Sequence, residues 1–304
     1  MTQPFDFAIA TDCPYDLDFV HTLEKAAQQV GLSSYIVMPY NFKETMNKIE
    51  HGDLRFNFLY DRASDTSPEF LKLYHFMLQK NLSVLDTIEN MNRAADKATM
   101  HLEFIANGLN TPYTIIIPPF SEEKDIFLSV TDLAKLGRPF IIKPANTTGG
   151  GTGVVDGAES LQDVLKTRRE YHHDKYLLQE KVMPFQKDGR RFWFRGFYAC
   201  GIVECTWWND LTHVYDRLIK DQIETHQLAP LFSIVQKIAS ICNLNFFSTE
   251  IALKHSGEFI VNDYVNEICD MRLKSRHFDG VPDEIVEKIA ESIAVHVKER
   301  LKIS

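Results

Sequence analysis

Apolar residues along the first ninety positions follow two alternating periods. Residues 5–11, 34–38, 54–60 and 82–85 carry short apolar runs of strand type, and 54–60 alternates polar with apolar. Between them, positions 18–30 place Phe19, Val20, Leu23, Ala26, Ala27 and Val30 at helical spacing and stop at Gly31. Residues 69–80 suit a second helix. Strands that alternate with helices predict a parallel sheet covered by helices, so residues 1–92 are expected to form one small α/β unit.

The pattern restarts near Asn92. Residues 94–107 suit a helix closed by Gly108, where a left-handed cap is usual. A strand at 113–117, a helical stretch at 129–136, a strand at 139–143, a Gly-rich loop, a helix at 160–168 and a strand at 176–182 follow. They define a second unit over residues 93–183. In the third, 184–304, residues 190–209 are rich in aromatics and β-formers and predict a hairpin. A helix over 230–241 has Pro230 in its first turn, and strands at 245–253 and 258–265 come next. A last helix over 282–301 sets Ile285, Ile289, Ile293 and Val297 on one apolar stripe. The fold class is α/β (α+β).

Composition narrows the function classes. At 304 residues, 44% hydrophobic and 25% charged, the chain is long enough for two or three packed units and is not wholly disordered. Its net charge of −9 argues against nucleic acid or an anionic membrane as partner, so any anionic ligand must be met by a local cluster of Lys and Arg. No stretch approaches the roughly 20 apolar residues that span a bilayer, and the start lacks the basic and apolar segments of a signal peptide. A cytoplasmic location is expected. Cys13, Cys200, Cys205, Cys242 and Cys269 are scattered without a Cys-x-x-Cys pair, which favours buried free thiols over a zinc site.

Two motifs carry chemistry. In the run Pro139-Phe-Ile-Ile-Lys-Pro-Ala-Asn-Thr-Thr-Gly-Gly-Gly-Thr-Gly, an apolar strand delivers Lys143 to a loop holding Thr148, Gly149, Gly150, Gly151 and Gly153. Glycines let backbone amides approach phosphate oxygens, and the lysine adds a point charge. The loop lacks the Gly-Lys-Ser/Thr of a Walker A motif, and no helix begins on its glycines. A Gly-rich turn between strands is the alternative. The second motif is a pair of apolar strands, each carrying one acid, Glu250 and Asp263, thirteen positions apart across a turn-forming Lys254-His-Ser-Gly257. Carboxylates facing each other on neighbouring strands repel unless a cation lies between them, and hard oxygen ligands suit Mg²⁺. Two solvent-facing acids would be the alternative. Lys97 near a helix start and the polar strand Gln179-Glu180-Lys181-Val182 are each uninformative alone.

The order of these elements resembles the ATP-grasp superfamily, in particular carboxylate–amine ligases such as D-alanine–D-alanine ligase, glutathione synthetase and the ribosomal-protein glutamate ligases. The resemblance covers about residues 90–275, and the first unit is compatible with a preceding Rossmann-like domain. It implies that Lys97 and Lys143 contact ATP phosphates. Thr148, Gly149, Gly150, Gly151 and Gly153 would close as a lid, and Gln179, Glu180, Lys181 and Val182 would lie along the adenine. Glu250, Asp263 and Asn266 would hold Mg²⁺, two ions in such ligases, with Mn²⁺ able to substitute. Small-molecule carboxylate and amine substrates are implied, with an acyl phosphate between them, and a homodimer is compatible. A hydroxyl kinase of the same fold and a non-catalytic ATP-binding module stay open as alternatives.

The sequence departs from the family's pattern in three places. Asp263-Tyr-Val-Asn266 is one residue longer than the usual acid-x-Asn, so Asn266 needs a bulge or strand end to reach the same ion, and Glu267 is a substitute. Glu250 stands where Asp is common. Ile268-Cys-Asp-Met-Arg-Leu-Lys-Ser275 replaces the usual ending, so substrate identity cannot be borrowed. Arg190, Arg191, Arg195 and Arg272 are candidates for an anionic substrate, with Arg191 and Arg195 expected on one strand face. Arg191 or Arg195 would stabilise the transferring phosphoryl group. Arg62 reads as a solvated loop arginine.

Overall fold

A computed structural model describes residues 3–146 and 151–302. The strands Gln3–Thr11, Ser34–Val37, Leu54–Arg62 and Ser83–Val84 form a parallel sheet, with the first strand between the second and third. Phe7, Ala8, Ile9 and Ala10 are all buried, as fits a parallel strand covered on both faces. Phe7 and Ile9 join one core with the helix Leu17–Gln29. Ala8 and Ala10 join another, with Pro39–Glu50 and Leu71–Gln79. The helix Pro39–Glu50 is unassigned in the sequence pattern. It buries Phe42, Thr45, Met46 and Ile49 at helical spacing between charged and polar neighbours.

The expected helix over 94–107 is two helices, Ile88–Ala95 and Lys97–Ala106, broken at Asp96. The Asp96 carboxylate accepts from the Ala98 and Thr99 amides, capping the second helix. Lys97 is therefore the first residue of a capped helix.

A four-stranded antiparallel sheet follows, ordered Thr114–Ile117, Tyr176–Glu180, Phe140–Pro144, Val155–Ala158. Its helices Val130–Leu136 and Leu161–Thr167 start at Ser129 and Ser160, each a capping box with the Asp three residues on.

The third sheet is antiparallel, ordered Tyr215–Arg217, Ile202–Trp208, Trp193–Ala199, Phe246–Leu253, Phe259–Asn266. The hairpin expected over 190–209 is interrupted: Arg190–Arg191 pair with Gln186–Lys187 in a separate ribbon. Helix Pro230–Cys242 packs on the back of the sheet. A Cβ on Gly196 would come within 2.4 Å of Val235 Cγ2, so glycine is what lets helix and sheet approach there. The last helix, Asp283–Lys302, puts Ile285, Ile289, Ile293 and Val297 in the core that also holds Phe7, Phe19 and Phe197. That core joins the first and third sheets.

Candidate functional site

Strand register creates the centre of the site. Phe246–Leu253 and Phe259–Asn266 run antiparallel with Glu250 directly opposite Asp263. On either side the register slips, so that Ala252 faces Ile260 and Ser248 faces Asn266. Ser248, Glu250 and Ala252 share one face at spacing two, and bulges bring Ile260, Asp263 and Asn266 to it at spacing three. The extra residue in Asp263-Tyr-Val-Asn266 is thereby absorbed. Asn266 Nδ2 donates to Asp263 Oδ2 at 3.2 Å.

Arg195 lies opposite Glu250 on the other neighbouring strand. Its Nη1 is 2.5 Å from Glu250 Oε1 and its Nε donates to Ser248 Oγ at 3.2 Å, while Trp193 Nε1 donates to Glu250 Oε2 at 3.2 Å. Burial raises the Glu250 carboxyl; Arg195 opposes the shift and Asp263 adds to it. Burial also works to raise Asp263, but Lys143, Lys97 and Arg195 outweigh it and hold that carboxyl below its usual value. The two facing acids are thus pushed in opposite directions, Glu250 up and Asp263 down.

Lys143 is buried in the second sheet and reaches the third. Its ammonium donates to the Asn262 carbonyl at 3.2 Å and lies 5.8 Å from the centre of the Tyr264 ring. Burial lowers its pKa, while Asp263 acts in the opposite direction. The Lys97 amide donates to the Ala145 carbonyl at 3.1 Å, two residues beyond Lys143. The capped helix and the lysine strand are therefore joined, and both lysines act electrostatically on Asp263.

The strand Tyr176–Glu180 behaves differently from a row of free polar groups. Gln179 is fully buried and its Nε2 donates to Tyr264 Oη at 2.6 Å and Thr114 Oγ1 at 3.0 Å. Glu180 is paired with Lys254 at 3.1 Å and Lys181 with Asp156 at 2.8 Å. Val182 packs with Trp193, Ala252 and Ile260, an apolar floor on the face that carries the acids. Of that floor only Val182 is a candidate in the sequence reading. Ala252, two residues after Glu250, and Ile260, three before Asp263, are the signals it passes over.

Arginines separate into groups. Arg195 is on the acid face, with its guanidinium carbon 5.6 Å from the Trp208 ring centre. Arg191, in its own ribbon, is held by Asp210 through two bonds of 2.6 Å, so the expected shared face with Arg195 is lost with the strand break. Arg190 is paired with Asp216. Arg272 is bound by Asp270 and Asp279. Arg62 is buried rather than solvated: it binds Asp16 and donates to the Cys269 carbonyl at 2.8 Å, joining the first sheet to the loop after Asn266. Burial raises Glu267 in that loop.

Gly151 and Gly153 both have positive φ, and a Cβ on Gly153 would lie 2.6 Å from the Tyr171 ring. Thr148, Gly149 and Gly150 lie outside the described residues. No three His, Cys, Asp or Glu side chains among the described residues could together hold a metal. Two carboxylates and an amide instead suit Mg²⁺, which keeps water and substrate oxygens in its shell.

No protein-family model matches the sequence, and no curated protein matches it. Solved structures do. A RimK-domain ATP-grasp protein from Sphaerobacter thermophilus is 16% identical with a TM-score of 0.63, over 96% of this chain and 98% of that one. D-alanine–D-alanine ligase from Bacillus anthracis, complexed with ATP, is 11% identical with a TM-score of 0.64, over 99% of both chains. D-cycloserine synthetase DcsG is 15% identical with a TM-score of 0.63, over 96% and 99%. The chain has the ATP-grasp fold. No helix among the described residues is long and apolar enough to cross a membrane.

Proposed function

We propose that this chain is an ATP- and Mg²⁺-dependent ligase that converts a carboxylate to an acyl phosphate for attack by an amine or thiol, releasing ADP and phosphate. The carrying observation is the placement of Glu250 opposite Asp263 with Lys143 beside them. The fold shared with D-alanine–D-alanine ligase and D-cycloserine synthetase supports ligation over other chemistry.

The adenine would rest on Val182, Trp193, Ala252 and Ile260, beside the backbone of Lys181. Lys97 and Lys143 would bind the phosphates, with the loop from Thr148 to Gly153 over them. Glu250, Asp263 and Asn266 would hold Mg²⁺, as two ions, which would neutralise phosphoryl oxygens and orient the triphosphate. Arg195 is the arginine that would face the transferring phosphoryl group, since Arg191 and Arg272 are engaged by acids away from that face. The protein's contribution is position and preorganised charge.

Hydroxylamine trapping tests the reading. With ATP, Mg²⁺ and a panel of carboxylic acids, ADP release with formation of a hydroxamate is expected. A stable phosphorylated alcohol would identify a hydroxyl kinase instead. Background ADP release across acids, amines and alcohols would mark a binding module without turnover.

A further inference from the structure

Gln179 and Lys143 project from one face of the second sheet. Gln179 lies opposite Ile141 on the neighbouring strand, two residues before Lys143, so the two side chains share that face as diagonal neighbours. Gln179, expected along the adenine, is fully buried, and its Nε2 is spent on Thr114 Oγ1 and on Tyr264 Oη. Its work is therefore inside the protein.

The helix that presents Lys97 reaches the same hydroxyl. His101 is one turn further along Lys97–Ala106, on the same face as Lys97. It is buried, and its Nδ1 is 2.8 Å from Tyr264 Oη, which also accepts from Gln179 Nε2 at 2.6 Å. The Tyr264 ring packs with Phe104 of that helix, their centroids 5.6 Å apart, and the Lys143 ammonium lies 5.8 Å from its centre. Tyr264 directly follows Asp263 in the acid strand. One buried phenol thus joins the Lys97 helix, the Lys143 sheet and the Asp263 strand. Phenylalanine would serve the packing alone, and a hydroxyl at full burial is costly unless it is bonded. Here both of its bonds run to elements that carry a candidate phosphate-binding lysine.

We propose that Tyr264 is a positioning residue for the triphosphate site. Through His101 it fixes the helix that presents Lys97, and through Gln179 it fixes the sheet face that presents Lys143. Both ammonium groups are then in place before the nucleotide arrives, which is where preorganised charge gains its advantage. The inference rests on the reading above that Lys97 and Lys143 contact the phosphates.

Calorimetric titration of the full chain with AMPPNP and with adenosine, both in Mg²⁺, tests this without an acceptor substrate. Adenosine shares the base and ribose and carries no phosphate. Tyr264→Phe keeps the ring and removes the hydroxyl; it should weaken AMPPNP about tenfold and leave adenosine within about twofold. His101→Leu removes only the helix-side contact and should give the same selective loss at about threefold, with His101→Asn, which retains a polar group there, recovering most of it. Equal weakening of both ligands, or unchanged AMPPNP binding, in Tyr264→Phe overturns the proposal, because a merely structural tyrosine would not separate them. If Tyr264→Phe fails to fold, the two His101 variants decide by the same comparison. A wild type that binds adenosine as tightly as AMPPNP overturns the phosphate contacts themselves and the inference with them. A wild type that prefers AMPPNP, with variants that keep the full preference, overturns the inference alone.

Discussion

Glu250 and Asp263 stand opposite each other on antiparallel strands, each nearly buried, with Arg195 bound to the first and Lys143 acting on the second. Like charges so placed destabilise a sheet unless something compensates them. Here cationic side chains do so, Arg195 from the same sheet and Lys143 from the second.

Lys143→Ala and Asp263→Asn should each lower ATP turnover at least about 100-fold, as loss of one preorganised charge at a reacting centre does. The fold should survive in both. Coupled ADP-release assays, with circular dichroism as the control, check this; near-normal turnover in either variant would remove that residue from the site.

Arg195 holds the site together through its bonds to Glu250 and Ser248. Arg195→Met strands Glu250 against Asp263 in a setting where Glu250 is only 12% exposed. Loss of about 3 kcal/mol in urea unfolding is expected. Adding Glu250→Gln to that variant should return most of the loss, because the uncompensated charge is gone. Additive losses would contradict the pairing.

Asn266 positions Asp263 through its side-chain amide. Asn266→Ala should raise the Mg²⁺ concentration needed for half-maximal turnover about tenfold, with Asn266→Asp recovering part of it. An unchanged Mg²⁺ dependence would show that the bulge does not serve the ion.

His101 gives a pH signature. It is buried beneath the site, its Nδ1 2.8 Å from Tyr264 Oη. Burial, reinforced by Lys143, lowers its pKa to about 4. The unfolded chain therefore binds this proton near pH 6.5 and the native chain does not, so the histidine lowers stability as pH falls from 6.5 toward 4. Asp86 works in the other direction: burial raises it to about 6, and the stability it contributes at low pH is lost as pH rises to that value. The informative quantity is the difference between wild type and His101→Asn. Its stability gap should shift by on the order of 2 kcal/mol between pH 6.5 and pH 4; a flat gap would place the proton elsewhere.

Much of the frame was legible because it depends on local periodicity. The buried run of Gln3–Thr11, the stripe of Asp283–Lys302 and the two acid strands all announce themselves in the order of apolar residues. What could not be read depends on residues distant in sequence. Gln179 pairs with Tyr264 and Arg62 with Asp16, and no local pattern encodes those partners. Asp96 ends one helix and caps the next, although the apolar spacing runs through it. The double bulge behind Asn266 is set by cross-strand pairing, so the sequence gives the need for it and the sheet supplies its position.

The most direct measurement is a crystal structure with the non-hydrolysable analogue AMPPNP and Mg²⁺. An ion bound at about 2.0–2.1 Å to oxygens of both Glu250 and Asp263 is expected, with Lys97 and Lys143 on the phosphates and the adenine on Val182 and Ile260. A nucleotide bound elsewhere, or carboxylates that coordinate no ion, would contradict it.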